Sequence, residues 1–305
     1  MSNLAISSPI VTVALTSNPV MWAYLIFSLV FIVGLALIVV HGDWQTPRCL
    51  EKLILLGPLF YAAPLAAFGT EHFTFAGPVA SLIPAWIPWH QFWVYFLGAC
   101  FIAAAVSMIT GIRAHLSASL LALNFFLFVV LMDAPAWAQN PRSRFALALM
   151  LRQLAFSGGA LAFAASLGSW SKPLNRVTAM IARYFVAIPV LYYSFVQFMH
   201  GSYVPAIPLN RLTPDYIVGH NIWTYLSAIV YAAAGILLLI GKKTRIAAVS
   251  VGLVVLVVEL VVYVPMAVVD RARIEGFNFM ADTLMFCGAV LLLARAMPKD
   301  PDAEG

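Results

Sequence analysis

Long apolar segments recur along the whole chain, and nine of them are long enough to cross a membrane as helices. A spanning helix needs about 20 mostly apolar residues to cross roughly 30 Å of hydrocarbon. Apolar residues make up 63% of the 305 positions and charged residues 10%, which leaves too few polar groups to cover a water-soluble fold of this size. These proportions exclude a soluble globular protein and a nucleic-acid-binding protein. The predicted spans are residues 20–40, 53–70, 90–110, 115–133, 145–167, 179–199, 220–240, 246–266 and 277–297.

Basic residues are divided unevenly between the two sides of the predicted membrane. With the N-terminus outside, eleven Lys and Arg residues fall on the cytoplasmic side and five on the opposite side, while Arg152 lies within a span. Because positive charges in short loops favour the cytoplasmic side, we predict an outer N-terminus and a cytoplasmic C-terminus, in a bacterial inner membrane. The predicted cytoplasmic residues are Arg48, Lys52, Arg113, Lys172, Arg176, Arg183, Lys242, Lys243, Arg245, Arg295 and Lys299.

The chain matches itself at an offset of 130 residues. The segment WHQFWVYF at 89–96 corresponds to GHNIWTYL at 219–226, and Phe156 corresponds to Phe286 further along the same offset. Upstream the offset becomes 128 and pairs His72 with His200. We therefore predict two repeats of four helices. Because four is an even number, both repeats should insert the same way up and be related by rotation about the membrane normal.

The predicted fold is thus all-α, a polytopic membrane protein of about nine transmembrane helices. An N-terminal transmembrane helix occupies residues 1–44, a first four-helix repeat 45–172 and a second four-helix repeat 173–305. The two repeats are expected to form four-helix bundles in parallel orientation.

Each predicted repeat resembles the DoxX-like family of small integral membrane proteins. The resemblance lies in a histidine followed by a proline-rich loop after the first helix, FTFAGPVASLIPAWIPW or GSYVPAIPLNRLTPDYIVG, and in a basic turn, GIRAHLSA or GKKTRIAA, before the third helix. A glycine-containing fourth helix completes it. The resemblance implies a four-helix bundle per repeat and a role as membrane subunit of a quinone-linked oxidoreductase, as in the DoxD/DoxX thiosulfate:quinone oxidoreductase. It implies a quinone as cofactor and a soluble or membrane oxidoreductase subunit as partner, but it carries over no catalytic residue.

Charged residues inside the predicted spans are few and fall in the outer half. They cost about 2.5 to 3.5 kcal/mol each on insertion scales, so they normally face the bundle interior. Arg152 and Asp282 are equivalent at the 130-residue offset and therefore lie at the same predicted depth with opposite charge. Three interpretations remain open: an ion pair that holds the repeats together, a pair coupled to a proton or substrate, and two residues that never meet.

Four histidines lie at the predicted outer helix ends in two symmetric sets. Imidazole can cap carbonyl groups, bind metals or contact quinone carbonyls, and no metal-ligand spacing accompanies these residues. We predict that they join the intramembrane charges around one asymmetric, ligand-binding pocket that opens to the outer face. The candidate ligand-binding residues are His72, His90, Arg152, His200, His220, Glu259 and Asp282.

The residues leave three functions open. The first is a membrane subunit or quinone-interacting component of an oxidoreductase complex, the second a small-solute transporter or channel, and the third a membrane scaffold or assembly factor without a ligand. No phosphate-binding loop, dinucleotide-binding glycine pattern, serine nucleophile elbow or haem-attachment motif occurs in the sequence. Because no cofactor is encoded by a motif, a redox role would require a partner or a bound quinone.

Overall fold

The structure, a computed structural model, describes residues 18–41, 49–207 and 211–298. Within these ranges it contains nine helices long and apolar enough to cross a membrane, which confirms the predicted fold class of an all-α integral membrane protein. Helix boundaries are α1 Pro19–Val40, α2 Leu50–Thr74, α3 His90–Thr110, α4 Ala114–Gln139, α5 Arg144–Ser166, α6 Lys172–Met199, α7 His220–Ile240, α8 Thr244–Val269 and α9 Ile274–Ala296.

Several helices extend beyond the apolar stretches that predicted them. α6 begins at Lys172 rather than at residue 179, and α4 and α8 continue past the predicted ends at 133 and 266. Hydropathy locates only the part of a helix that matches the hydrocarbon, whereas helical hydrogen bonding continues into the polar margin. The nine spans were therefore predicted correctly, but several of them were predicted too short.

Prolines interrupt three of these helices. α2 consists of Cys49–Leu55 and Gly57–Thr74 and contains Pro64 in its interior. α4 and α8 each include a π-helical turn, Val129–Asp133 and Glu259–Tyr263, directly before a proline-containing final segment. Because proline lacks an N–H and clashes with the preceding turn, a local change of helical hydrogen bonding lets the span continue.

The two halves of the chain share their element boundaries. We call α2–α5 the first half and α6–α9 the second half. The bounds of α3, α4 with its π turn, and α5 recur in α7, α8 and α9 at an offset of 130 residues. Gly111 and Gly241 occupy equivalent left-handed turns with φ of 76° and 75°. The rotation about the membrane normal that relates the halves stays a prediction.

Helices α5 and α9 form the centre of the bundle and contact each other directly. Each also packs against the first helix of the opposite half, α5 against α6 and α9 against α2. Gly159 allows the close approach, since a Cβ added there would lie 2.5 Å from the Cα of Ala289. α1 packs on the outside of α2 and is the most exposed span. In its most apolar 18-residue stretch 17% of the residues are buried, against 89% in α9.

Two long loops lie on one side of the bundle, which we call the loop side. Residues 75–89 contain a short helix, Ala76–Ala80, and leave Trp86 and Trp89 exposed. The described part of residues 200–219 behaves differently, because Val204 and Ile207 are fully buried. Both loops follow predicted outer helix ends, and the second one places large apolar side chains fully inside the bundle.

Candidate functional site

A cavity of about 1150 Å³ lies in the first half of the bundle, on the loop side. Helices α2 to α5 and the loop 75–89 surround most of it, and α9 closes it from the second half. The apolar part of its lining, the aromatic wall, is rich in aromatic rings, and the polar part, the polar wall, carries ionisable and amide side chains. The aromatic lining residues are Phe68, Trp86, Trp93, Phe101, Phe125, Phe128, Phe145, Phe156 and Phe279.

The polar wall is organised by an ion pair between the two central helices. Arg152 of α5 donates from Nη1 to the Oδ2 atom of Asp282 on α9. Both side chains are largely buried, with 16% and 11% of their surface exposed. The two residues that are equivalent at the 130-residue offset therefore meet, which excludes the interpretation that they never meet and leaves open both an ion pair that holds the halves together and a pair coupled to a proton or substrate.

Two further side chains of α2 are held in defined orientations at this wall. His72 is bonded through Nδ1 to the carbonyl oxygen of Phe68 at 2.7 Å. Because a carbonyl oxygen only accepts, Nδ1 carries the hydrogen. Asn278 of α9 donates from Nδ2 to Oε2 of Glu71 at 3.3 Å, which fixes the direction of the amide.

Several buried polar atoms of this wall have no hydrogen-bond partner among the described residues. Buried polar groups in folded proteins are almost always paired, so a group of unpaired atoms around one cavity needs an explanation. The atoms are Glu71 Oε1, Asn124 Nδ2, Asp133 Oδ2, Arg152 Nε, Gln153 Oε1 and Asn278 Oδ1.

Three of the seven predicted site residues line this cavity, namely His72, Arg152 and Asp282. His90 begins α3, is half-buried, and is not among the lining residues. His220 begins α7, and its side chain lies outside the described part of the chain.

The structure places His200 and Glu259 away from the cavity, which differs from the predicted pocket. His200 is exposed after the end of α6, with its ring 5.7 Å from that of Tyr203. Desolvation and then the positive charge of Arg144 lower the pKa of His200. Glu259 is buried in the π turn of α8, within the second half.

The sequence prediction missed several polar residues of the cavity. Asn124, Gln153 and Asn278 are uncharged amides, and the search for site residues weighed only charges and histidines. Asp133 lies within a predicted span and Glu71 directly follows one, but the predicted pocket includes neither residue. A count of amide side chains inside the predicted spans would have found the first three.

The equivalent region of the second half is filled by protein side chains. Tyr231, Tyr263 and Phe286 are each 0% exposed. The hydroxyl of Tyr263 donates to the carbonyl oxygen of Pro205 at 2.6 Å, so the inserted loop is bonded to the residues that fill this space. Across the described ranges, no group of three or more His, Cys, Asp or Glu is arranged to hold a metal ion.

Comparisons with known proteins add no relative to this geometry. No protein-family model, no curated protein and no solved structure matches the chain.

Proposed function

We propose that this integral membrane protein is the quinone-interacting membrane subunit of an oxidoreductase complex, and that it binds the quinone-class ring in the first-half cavity. One observation carries the proposal: a single cavity combines an aromatic wall with a polar wall whose buried atoms lack protein partners. Ligand sites typically pair apolar and aromatic lining with a few placed polar groups. The resemblance of each half to DoxX-like proteins points to the same ligand class.

The dimensions and the walls of the cavity suit an aromatic ring with an apolar substituent. A volume of about 1150 Å³ lies slightly above the usual range of about 300 to 1,000 Å³ for small-molecule sites, so the cavity can hold a ring together with an apolar substituent. Aromatic side chains such as Trp93 and Phe128 offer flat surfaces to a ring. α3 also packs less closely against α4 than α7 does against α8, and both α3 and α4 are mostly exposed spans. The apolar substituent would therefore lie along the α3–α4 side, toward lipid.

The chain's own residues would bind and orient the ring and exchange protons with it. Arg152 Nε and Asn124 Nδ2 are donors for oxygen atoms of the ligand, while Glu71 and Asp133 supply carboxyl groups that can take up or release protons. A quinone supplies the capacity for electron transfer when bound. The electrons would come from a partner subunit.

The shape of the cavity favours this function over solute transport. Three packed aromatic rings form its deep end: Phe101 stacks on Phe125 with centroids 5.7 Å apart, and Phe156 meets Phe125 edge-to-face with centroids 5.6 Å apart. Apart from Asn124 near the middle of α4, the polar residues of the wall come from the loop-side halves of their helices. A scaffold without a ligand would leave the unpaired polar atoms without a role.

Tryptophan fluorescence tests the proposal, because Trp86 and Trp93 line the cavity. The protein is reconstituted in lipid nanodiscs and titrated with menadione, a quinone that quenches nearby tryptophans, against empty nanodiscs. We expect saturable quenching whose amplitude falls in Trp93→Phe. The matched control is Trp223→Phe, at the equivalent position of the second half, which should keep the full amplitude. Quenching without saturation, or equal loss of amplitude in both variants, would overturn the proposal.

The proposed membrane orientation has its own test. Reporter proteins fused after Gly241 and after Gly305 should both read cytoplasmic, because the basic turn GKKTR and the C-terminus are predicted on that side. A periplasmic reading at either site would overturn the orientation.

A further inference from the structure

We infer that the first-half cavity prefers the reduced, hydroxyl-bearing form of its ring ligand to the oxidised, carbonyl-bearing form. The inference rests on the proposed function and adds a selectivity to it. It is based on which unpaired buried atoms of the polar wall donate hydrogen bonds and which accept them.

Three unpaired oxygen atoms of this wall accept hydrogen bonds when the carboxyl groups are ionised. Oε1 of Glu71 and Oδ2 of Asp133 belong to carboxyl groups, which only accept when ionised. Oδ1 of Asn278 is the acceptor atom of its amide, because Nδ2 of the same amide donates to Glu71. The acceptors come from three helices, α2, α4 and α9, so they face the cavity from different sides.

Two unpaired atoms of the same wall are donors, Nε of Arg152 and Nδ2 of Asn124. A quinone carbonyl can only accept, so it can satisfy these donors and leaves the three acceptors unpaired. A hydroquinone hydroxyl both donates and accepts, so it can satisfy groups of both kinds. An unpaired buried acceptor is costly, and this cost therefore falls on the oxidised form.

The charge balance of the wall acts in the same direction. Among the buried and half-buried described residues of the lining, Glu71, Asp133 and Asp282 contribute three carboxyl groups, while Arg152 and Arg211 contribute two guanidinium groups, and Arg211 is already paired with Asp270 outside the lining. Carboxylate oxygens repel the electron-rich oxygen of a carbonyl and attract the hydrogen of a hydroxyl. The polar wall is therefore better suited to a ligand that presents hydrogens.

Parallel titrations with the two redox forms of one ring test this selectivity. Menadiol and menadione are equilibrated in oxygen-free buffer with the full chain in nanodiscs, and bound ligand is measured by chromatography after separation from free ligand. We expect menadiol to bind about tenfold more tightly, the size that one or two additional net hydrogen bonds give. A tenfold preference corresponds to a rise of about 30 mV in the midpoint potential of the bound two-electron couple. The dimethyl ether of menadiol, which has no hydroxyl hydrogen, should bind no better than menadione.

Amide substitutions identify the groups that carry the preference. Glu71→Gln and Asp133→Asn each add a donor in place of an acceptor and should reduce the preference to about threefold or less. Asp215→Asn changes an exposed carboxylate of the second loop, outside the lining of the cavity, and should leave the preference unchanged.

The outcomes separate the inference from the proposed function. Saturable binding of both forms with equal affinity, tighter binding of menadione, or tight binding of the dimethyl ether would overturn the preference while the cavity remains a ring-binding site. Absence of saturable binding of either form would overturn the proposed function itself.

Discussion

The two halves of the molecule share helix boundaries but differ in what their centres contain. At the 130-residue offset, Asp133 of the first half corresponds to Tyr263 and Ala136 to Met266. Both second-half side chains are fully buried, whereas Asp133 and Ala136 border the cavity. Because both halves have the same helix boundaries at this offset, the backbone arrangement alone does not account for the cavity. Smaller side chains at a few positions of α4 leave space that larger ones occupy in α8.

The loops between the first two helices of each half add to this difference. In the second half Val204 and Ile207 are buried, and the backbone of Pro205 accepts a hydrogen bond from Tyr263. In the first half the loop 75–89 forms one border of the cavity and keeps Trp86 exposed. One loop thus fills the centre of its half, while the other covers a space.

The largest expected effect concerns the ion pair at the junction of the halves. Arg152→Met leaves the Asp282 carboxylate buried without its partner and should lower the free energy of unfolding by about 3 to 5 kcal/mol. The double variant Arg152→Met with Asp282→Leu removes both charges and should recover most of that loss. The measurement is reversible unfolding in mixed micelles, read as a double-mutant cycle. Equal destabilisation by the single and the double variant would show that the pair is not what joins the halves.

A matched pair of truncations compares the filled and the open centre. Phe286→Ala should lower the free energy of unfolding by about 3 to 5 kcal/mol, because it opens a new void in close packing. Phe156→Ala at the equivalent position enlarges a cavity that already exists, so we expect a loss smaller by about 1 to 2 kcal/mol. The same unfolding assay measures both variants. A larger loss at residue 156 would contradict the difference between the halves.

Much of this fold and part of the site could be predicted from the sequence. Hydropathy gave nine spans, and the offset gave Arg152 and Asp282 as residues at equal depth that the structure joins. The outcome for His200 could not be predicted, because both loops are apolar and proline-rich and nothing in their composition says which one inserts. The cavity itself depends on side-chain volumes across several helices, which a periodic pattern does not contain.

Replacing a polar residue of the cavity by its second-half counterpart should have a smaller, stabilising effect. Asn124 corresponds to Val254, and the Nδ2 atom of Asn124 is buried without a partner. Asn124→Val should raise the free energy of unfolding of the ligand-free protein by about 1 kcal/mol, since it removes an unpaired buried donor. The same variant should weaken menadione binding in the fluorescence titration. Loss of stability would indicate that the amide is paired in the native protein.

The smallest difference is expected at the turns where the halves are most alike. Gly111 and Gly241 both adopt φ near 75°, a conformation that costs an L-residue about 1 to 2 kcal/mol, so alanine at either position should lower the free energy of unfolding by about 1 kcal/mol. An added Cβ meets open space at Gly111, whereas at Gly241 it would lie 2.1 Å from Nη1 of Arg183. That atom ends a flexible side chain, which can move at little cost. The two variants should therefore differ by less than about 0.5 kcal/mol in the unfolding assay. A larger difference would mean that Arg183 fixes the second turn, and that the halves diverge at their connections as well as at their centres.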